Sequence, residues 1–280
     1  MPGDSGLQED APGSTPSVFS LLAGRIPLLL SMPHAGTAIP GSLHGRLVER
    51  ALGSEDSDWH LPDLYGFAAQ LGASLLVPHW SRYAVDLNRP PHDEPMYPGS
   101  NNTGLVPLHF FTGEPLYRPG AEPAPEEVQE RRRTWWQPYH DALEAELARL
   151  QALHGVAVLF DAHSIRSELP WLFEGRLPDL NLGTAAGSSC DPSLRAALVT
   201  VMEGQGRYSH AIDGRFRGGY ITRHYGRPGA GRHAVQLEMC WSCYMDETPP
   251  FRIDERRAVT LRPVLAELLA TIAEWCARRN

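Results

Sequence analysis

The segment Val156–Arg166, Val-Ala-Val-Leu-Phe-Asp-Ala-His-Ser-Ile-Arg, constrains this chain more than any other. It opens on apolar residues that favour β structure, the pattern of a strand buried on both faces. The apolar run then gives way to Asp161, His163, Ser164 and Arg166. A strand covered on both sides belongs to an α/β sheet, and sites in open α/β sheets form just beyond the carboxyl ends of strands. Asp161 and His163 are two positions apart, so an extended backbone points them the same way. A histidine delivered there can ligate a metal, with a nearby carboxylate to orient it. Alone, the pattern is better read as a strand that ends in a surface turn. A second buried strand ends alike, however: Arg25–Met32 contains Ile-Pro-Leu-Leu-Leu-Ser-Met and runs into Pro33-His34-Ala35-Gly36.

The remaining elements alternate around these two. Helices are expected over 58–71, 125–154 (with Pro138 able to kink it), 192–202 and 256–279. Short strands are expected over 74–77, 83–87, 209–212, 220–222 and 234–239. Segments 90–125 and 167–190 read as irregular, and a loop as long as the first is more often functional than idle. Residues 1–16, rich in Gly, Pro, Ser and Asp, read as a disordered tail, which leaves 17–280 as one domain. With 280 residues, 42% of them hydrophobic, the chain can bury a large core. The expectation is an α/β fold: a single three-layer domain with a mainly parallel mixed sheet and helices on both faces.

Composition removes several functions. The net charge of −8 argues against nucleic acid or an anionic membrane as partner, though not against a small anionic substrate in a locally basic site. All 25 basic residues are Arg, so Schiff-base and Walker-type lysines are excluded. Cys190, Cys240, Cys243 and Cys276 make no disulfide framework, and the single Cys240–Cys243 C-x-x-C lacks the second pair or the context that a zinc or redox motif needs. No signal-peptide pattern and no apolar run near ~18 residues is present, so a soluble, cytoplasmic protein is expected. Nothing in the sequence sets an oligomeric state.

Two imidazoles at two strand ends, His34 and His163, make half of a zinc site. Catalytic zinc commonly takes two His and one carboxylate and leaves a position for water. Asp58, Asp56 and Glu55 compete for the third place. Asp58 is preferred because it directly precedes a helix, where it could instead be an N-cap. Glu238 lies in the apolar run Ala-Val-Gln-Leu-Glu-Met, an unusual place for a carboxylate. It is either the group that takes a proton from attacking water or a solvent-facing residue on an edge strand. Arginines gather at the same strand ends: Arg82 and Arg89 flank Tyr-Ala-Val-Asp-Leu-Asn, Arg166 follows His163, and Arg215, Arg217 and Arg223 surround Phe216-Arg217-Gly218-Gly219-Tyr220. Guanidinium binds carboxylate through a planar fork, so this clustering points to a substrate with more than one carboxylate.

Six blocks then resemble one family in order: Ser31–Gly36 (SMPHAG), Asp56–His60 (DSDWH), Ser81–Pro90 (SRYAVDLNRP), Asn101–Leu105 (NNTGL), Asp161–Arg166 (DAHSIR) and Gly214–Thr222 (GRFRGGYIT). These motifs are similar to those of the N-formylglutamate deformylases (N-formylglutamate amidohydrolases) of histidine breakdown. The resemblance implies hydrolysis of N-formyl-L-glutamate to formate and L-glutamate, and a fold similar to the zinc carboxypeptidase and aspartoacylase group. It further implies one Zn2+ (or another divalent metal) on His34, Asp58 and His163, with Glu238 as base. Asn88 and Arg89 would clamp substrate. Arg166 would assist catalysis, and Arg82, Arg217, Tyr220 and Thr222 would complete the substrate site. Asp58 departs from the carboxypeptidase spacing, in which the carboxylate follows the first His by three residues. The competing readings are another N-acyl amino acid deacylase or carboxypeptidase, and a metal-free protein that binds acidic amino acids.

Overall fold

The computed structural model describes residues 17–96 and 101–279; the tail expected over 1–16 lies outside them. Seven strands form one mixed sheet in the order β1-β3-β2-β4-β7-β5-β6. They are β1 (Phe19–Leu22), β2 (Leu28–Ser31), β3 (Ser74–Pro78), β4 (Ala157–Ile165), β5 (Leu180–Gly183), β6 (His210–Ile212) and β7 (Arg232–Cys240). The central strands β3, β2, β4 and β7 run parallel, β1 and β5 join antiparallel to their neighbours, and β6 is parallel to β5.

The period of two explains the layers. Leu28, Leu30, Val158, Phe160, Val235 and Leu237 point to one face. There they meet α1 (Leu61–Leu64), α2 (Phe67–Leu71), α5 (Pro192–Gly204) and α7 (Glu255–Ala277). Leu29, Ala157, Leu159 and Ala234 point to the other face. There they meet α4 (Gln137–His154), which continues α3 (Pro125–Arg131), and α6 (Tyr220–Tyr225). Both faces of β2 and β4 are therefore covered, which is why these strands read as unbroken apolar runs. Helix starts follow their caps: Asp191 accepts from Ser193 N–H before Pro192, and Asp254 accepts from Arg256 and Arg257 N–H.

Several local expectations change. The long helix over 125–154 contains a π turn at Arg132–Trp136, just before Pro138, so the missing proline N–H falls near the start of a new α segment rather than in mid-helix. The helix expected from 58 begins only at Leu61 and breaks at Tyr65–Gly66. Residues 83–87 form turns, not a strand: the Asp86 carboxylate turns inward to buried His34 and Arg82 instead of taking a place on a sheet. Residues 220–222 are helical, not extended, because Gly219 and a cap on Ile221 N–H start a helix there despite the β-branched side chains. Strands β1 and β5 are four residues each, too short to show a period. All four cysteines are buried and free. Among the described residues, no helix is long and apolar enough to cross a membrane.

Candidate metal centre and substrate pocket

The carboxyl ends of β2, β4 and β7 meet at one point. The backbone leaving β2 turns at Pro33–Gly36, where a Cβ on Gly36 would lie 2.2 Å from the Trp80 carbonyl oxygen, so only glycine lets the turn pack. That turn presents His34, and its carbonyl accepts from Asp58 N–H at 2.9 Å, which holds Asp58 beside it. His163 comes from β4, and Glu238 is its register partner on β7. Asp58 is not a helix cap: His60 occupies that position, in a left-handed conformation, with no side-chain capping bond.

His34, Asp58 and His163 are all buried, and one ligand atom from each lies within 4.8 Å of the others. Asp58 Oδ2 is 3.7 Å from His34 Nδ1 and 3.1 Å from His163 Nδ1. Bonds of about 2.1 Å in a tetrahedral zinc site put neighbouring ligand atoms about 3.4 Å apart, so these separations suit one small cation. The outer nitrogens are occupied. His34 Nε2 meets Asp86 Oδ1 at 2.7 Å, and His163 Nε2 meets Asp161 Oδ2 at 3.2 Å. Carboxylates behind both rings leave the two Nδ1 atoms facing inward, the arrangement that metal-binding histidines use. The donor set and its geometry therefore fit a divalent metal. The competing carboxylates are engaged elsewhere: Glu55 Oε2 accepts from Arg50 Nε at 2.7 Å, and Asp56 Oδ2 from Tyr83 Oη at 2.8 Å and Phe111 N–H at 3.0 Å.

The electrostatics are those of a crowded, buried site. Burial pushes His34 down, as does Arg82, so its ring stays neutral. Burial also works against His163, but the carboxylates of Asp161 and Asp58 overcome it and hold that imidazole well above its usual range. Burial likewise opposes the Asp86 carboxylate, yet Arg82, Arg89 and His34 keep it well below the usual range. Glu238 is pushed up to about 8, chiefly by burial and partly opposed by His163. It is buried in a central strand, not exposed on an edge.

Above the cluster lies a cavity of about 80 Å³. His34, Asp58, His163 and Glu238 form part of its lining, together with Arg82, Asn88, Arg89 and Arg215. Arg82 Nη1 is 3.2 Å from His34 Nδ1, Nη2 bonds Asp86, and the guanidinium sits over the Phe111 ring. Arg89 is braced by Thr103, through Nε to the carbonyl and Nη2 to the hydroxyl, both at 2.8 Å. The Asn88 side-chain Oδ1 accepts from Ile221 N–H at 2.8 Å, which turns its amide nitrogen toward His163 Nε2, 3.0 Å away. A Cβ on Gly219 would lie 2.3 Å from that nitrogen, so Gly219 makes room for Asn88.

The other expected residues lie elsewhere. Arg166 does not line the cavity; it stands 5.5 Å from the Trp241 and Phe251 ring centres and 3.5 Å from Glu55. Arg217 is exposed and outside the lining. Tyr220 faces a separate groove with Trp136 and His140, and the Thr222 hydroxyl donates to Asp161 Oδ2 at 3.2 Å. Sequence reasoning passed over Asp86, although it lies inside the Arg82–Arg89 block, and over Arg215 as a pocket residue.

The family model for N-formylglutamate amidohydrolases matches residues 26–245. A protein of Pseudomonas aeruginosa named N-formylglutamate deformylase is 52% identical over 94% of this chain and 98% of its own length. A Pseudomonas putida protein of the same name is 49% identical over the same shares. The crystal structure of an N-formylglutamate amidohydrolase from Ralstonia eutropha JMP134 superposes with a TM-score of 0.80 at 25% identity, covering 94% of this chain and 99% of that one.

Proposed function

Because the chain belongs to the N-formylglutamate amidohydrolase family, we propose that it hydrolyses N-formyl-L-glutamate with water to formate and L-glutamate, as a zinc enzyme. The resemblance read in the sequence supports histidine breakdown as its setting. The observation behind this reading is the convergence of His34, Asp58 and His163 in a cavity that also presents Glu238 and three arginines.

A divalent ion held by His34, Asp58 and His163 would supply Lewis acidity toward the formyl oxygen and lower the pKa of a nearby water. Glu238 takes the proton from the attacking water and returns it to the amide nitrogen as glutamate leaves. Its carboxyl lines the same cavity as the three ligand side chains, which places it to hold a proton between those two events. Arg82, fixed by Asp86, offers its guanidinium to the negative charge that develops on the formyl oxygen, the task expected from sequence of Arg166. Asn88 and Arg89 hold the α-carboxylate beside the reacting carbonyl. Asp86 and Asp161 keep both imidazoles in orientation.

Formate release from N-formyl-L-glutamate by the purified protein, with metal content measured in parallel, tests this. Activity should disappear on chelation and return with zinc. A metal-loaded protein that releases no formate would overturn the reading.

A further inference from the structure

We propose that Arg215 reads the side-chain carboxylate of the substrate and makes the enzyme selective for acidic N-formyl amino acids. This rests on the deformylase reading above and adds to it the residue that sets specificity. The α-carbon of formylglutamate is bonded to the amide nitrogen, so the α-carboxylate must stay close to the reacting carbonyl. The second carboxylate lies two methylenes farther out. A matching site needs one guanidinium beside the metal ligands, then an apolar wall, then another guanidinium.

The cavity lining holds all three parts. Arg89 is one residue removed from both imidazoles. Its Nη1 is 3.8 Å from Asp86 Oδ2, and Asp86 holds His34. Its Nη1 also donates to the carbonyl of Asn88 at 3.0 Å, and the Asn88 amide faces His163. Leu172, Phe173 and Phe216 build an apolar stretch of the same cavity, with the two phenyl rings edge to face at 6.5 Å. Arg215 lines the cavity beside them, and its Nη2 donates to the Leu172 carbonyl at 2.8 Å. The apolar stretch suits the two methylenes, and the guanidinium suits the carboxylate at their end. Arg217 is outside that lining: its side chain is exposed, and its Nε donates to the Gly214 carbonyl at 3.4 Å.

The test compares kcat/KM for N-formyl-L-glutamate and N-formyl-L-glutamine in wild type, Arg215→Ala and Arg217→Ala, with metal content measured. Losing one partner of a desolvated charge pair predicts that Arg215→Ala falls roughly 30- to several thousand-fold on formylglutamate. Formylglutamine should change by less than about 5-fold, because a neutral amide forms no charge pair with Arg215 to lose. Arg217→Ala should match wild type on both. If an active wild type gives an Arg215→Ala variant that loses both substrates equally, or neither, the Arg215 assignment is wrong while the deformylase reading stands. A wild type inert toward formylglutamate removes both. If Arg215→Ala does not retain its metal, Arg215→Gln, which keeps a donor for the Leu172 carbonyl, is judged by the same two outcomes.

Discussion

His163 on β4 and Glu238 on β7 stand opposite each other in register at the centre of the sheet. A proposed metal ligand and a proposed proton carrier are thus fixed by the same ladder of backbone hydrogen bonds. Site geometry and sheet geometry are one object here, and a side-chain change at either position need not disturb the fold.

Glu238→Gln preserves size and removes the proton-accepting oxygen. It should keep metal content and folded structure while turnover drops roughly 10²–10⁴-fold, the usual range for acid–base catalysis. Metal analysis beside steady-state kinetics checks this. Metal lost together with activity would instead make Glu238 a ligand.

Asp86 anchors the outer nitrogen of His34 and pairs with Arg82 at the same time. Asp86→Asn should therefore weaken metal affinity by about 10–100-fold, as changes behind a ligating histidine do. His34→Ala should lose metal outright. Competition against a calibrated chelator separates the two, and equal affinity for wild type and Asp86→Asn would rule out this role for Asp86.

These residues show what the sequence could reveal. His34, His163 and Glu238 were legible because polar groups that interrupt apolar strands have few structural explanations. Asp58 competes with Asp56 and Glu55 in the sequence because three acids in one turn look alike until their partners are known: Arg50 for Glu55, Tyr83 for Asp56. The Tyr83–Leu87 stretch alternates like a strand, yet Asp86 and Arg82 draw it into turns around the site, a tertiary effect with no local signature. Arg217 and Arg215 are two residues apart in one Arg-Phe-Arg run, and no local pattern says that Arg215 lines the cavity while Arg217 is exposed. Strands β2, β4 and β7 were plain because both of their faces are covered.

Arg89 uses Nε and Nη2 on Thr103, which leaves it rigid beside Asn88. If it holds the α-carboxylate, Arg89→Ala should lower kcat/KM for formylglutamate and formylglutamine alike, by roughly 30-fold or more. Arg89→Lys should recover little, since an ammonium cannot make the planar fork. Selective loss on formylglutamate alone would move the side-chain carboxylate from Arg215 to Arg89.

His140, away from the cavity, gives stability a pH dependence. Its ring is buried and stacked on Trp136 with centroids 3.7 Å apart. Nε2 donates to the Leu87 carbonyl at 2.8 Å, so Nδ1 is the acceptor for the Tyr225 hydroxyl at 2.9 Å, and the ring is neutral. Burial pushes its pKa down to about 3; the Leu87 carbonyl opposes this and nearby His224 adds to it. The folded value is below the unfolded one, so the unfolded chain binds the proton first as pH falls. Stability is unaffected by this group above the unfolded value and is lost as pH drops from about 6.5 toward 3. Between about pH 7 and about pH 5 the loss from this one group should be about 2 kcal/mol. His140→Gln removes the titration. The variant should start less stable at neutral pH, yet lose about 2 kcal/mol less than wild type over that interval in urea unfolding. Other titrating groups are common to both proteins and cancel in the difference, so parallel curves would show that His140 takes up its proton equally in the folded and unfolded chain.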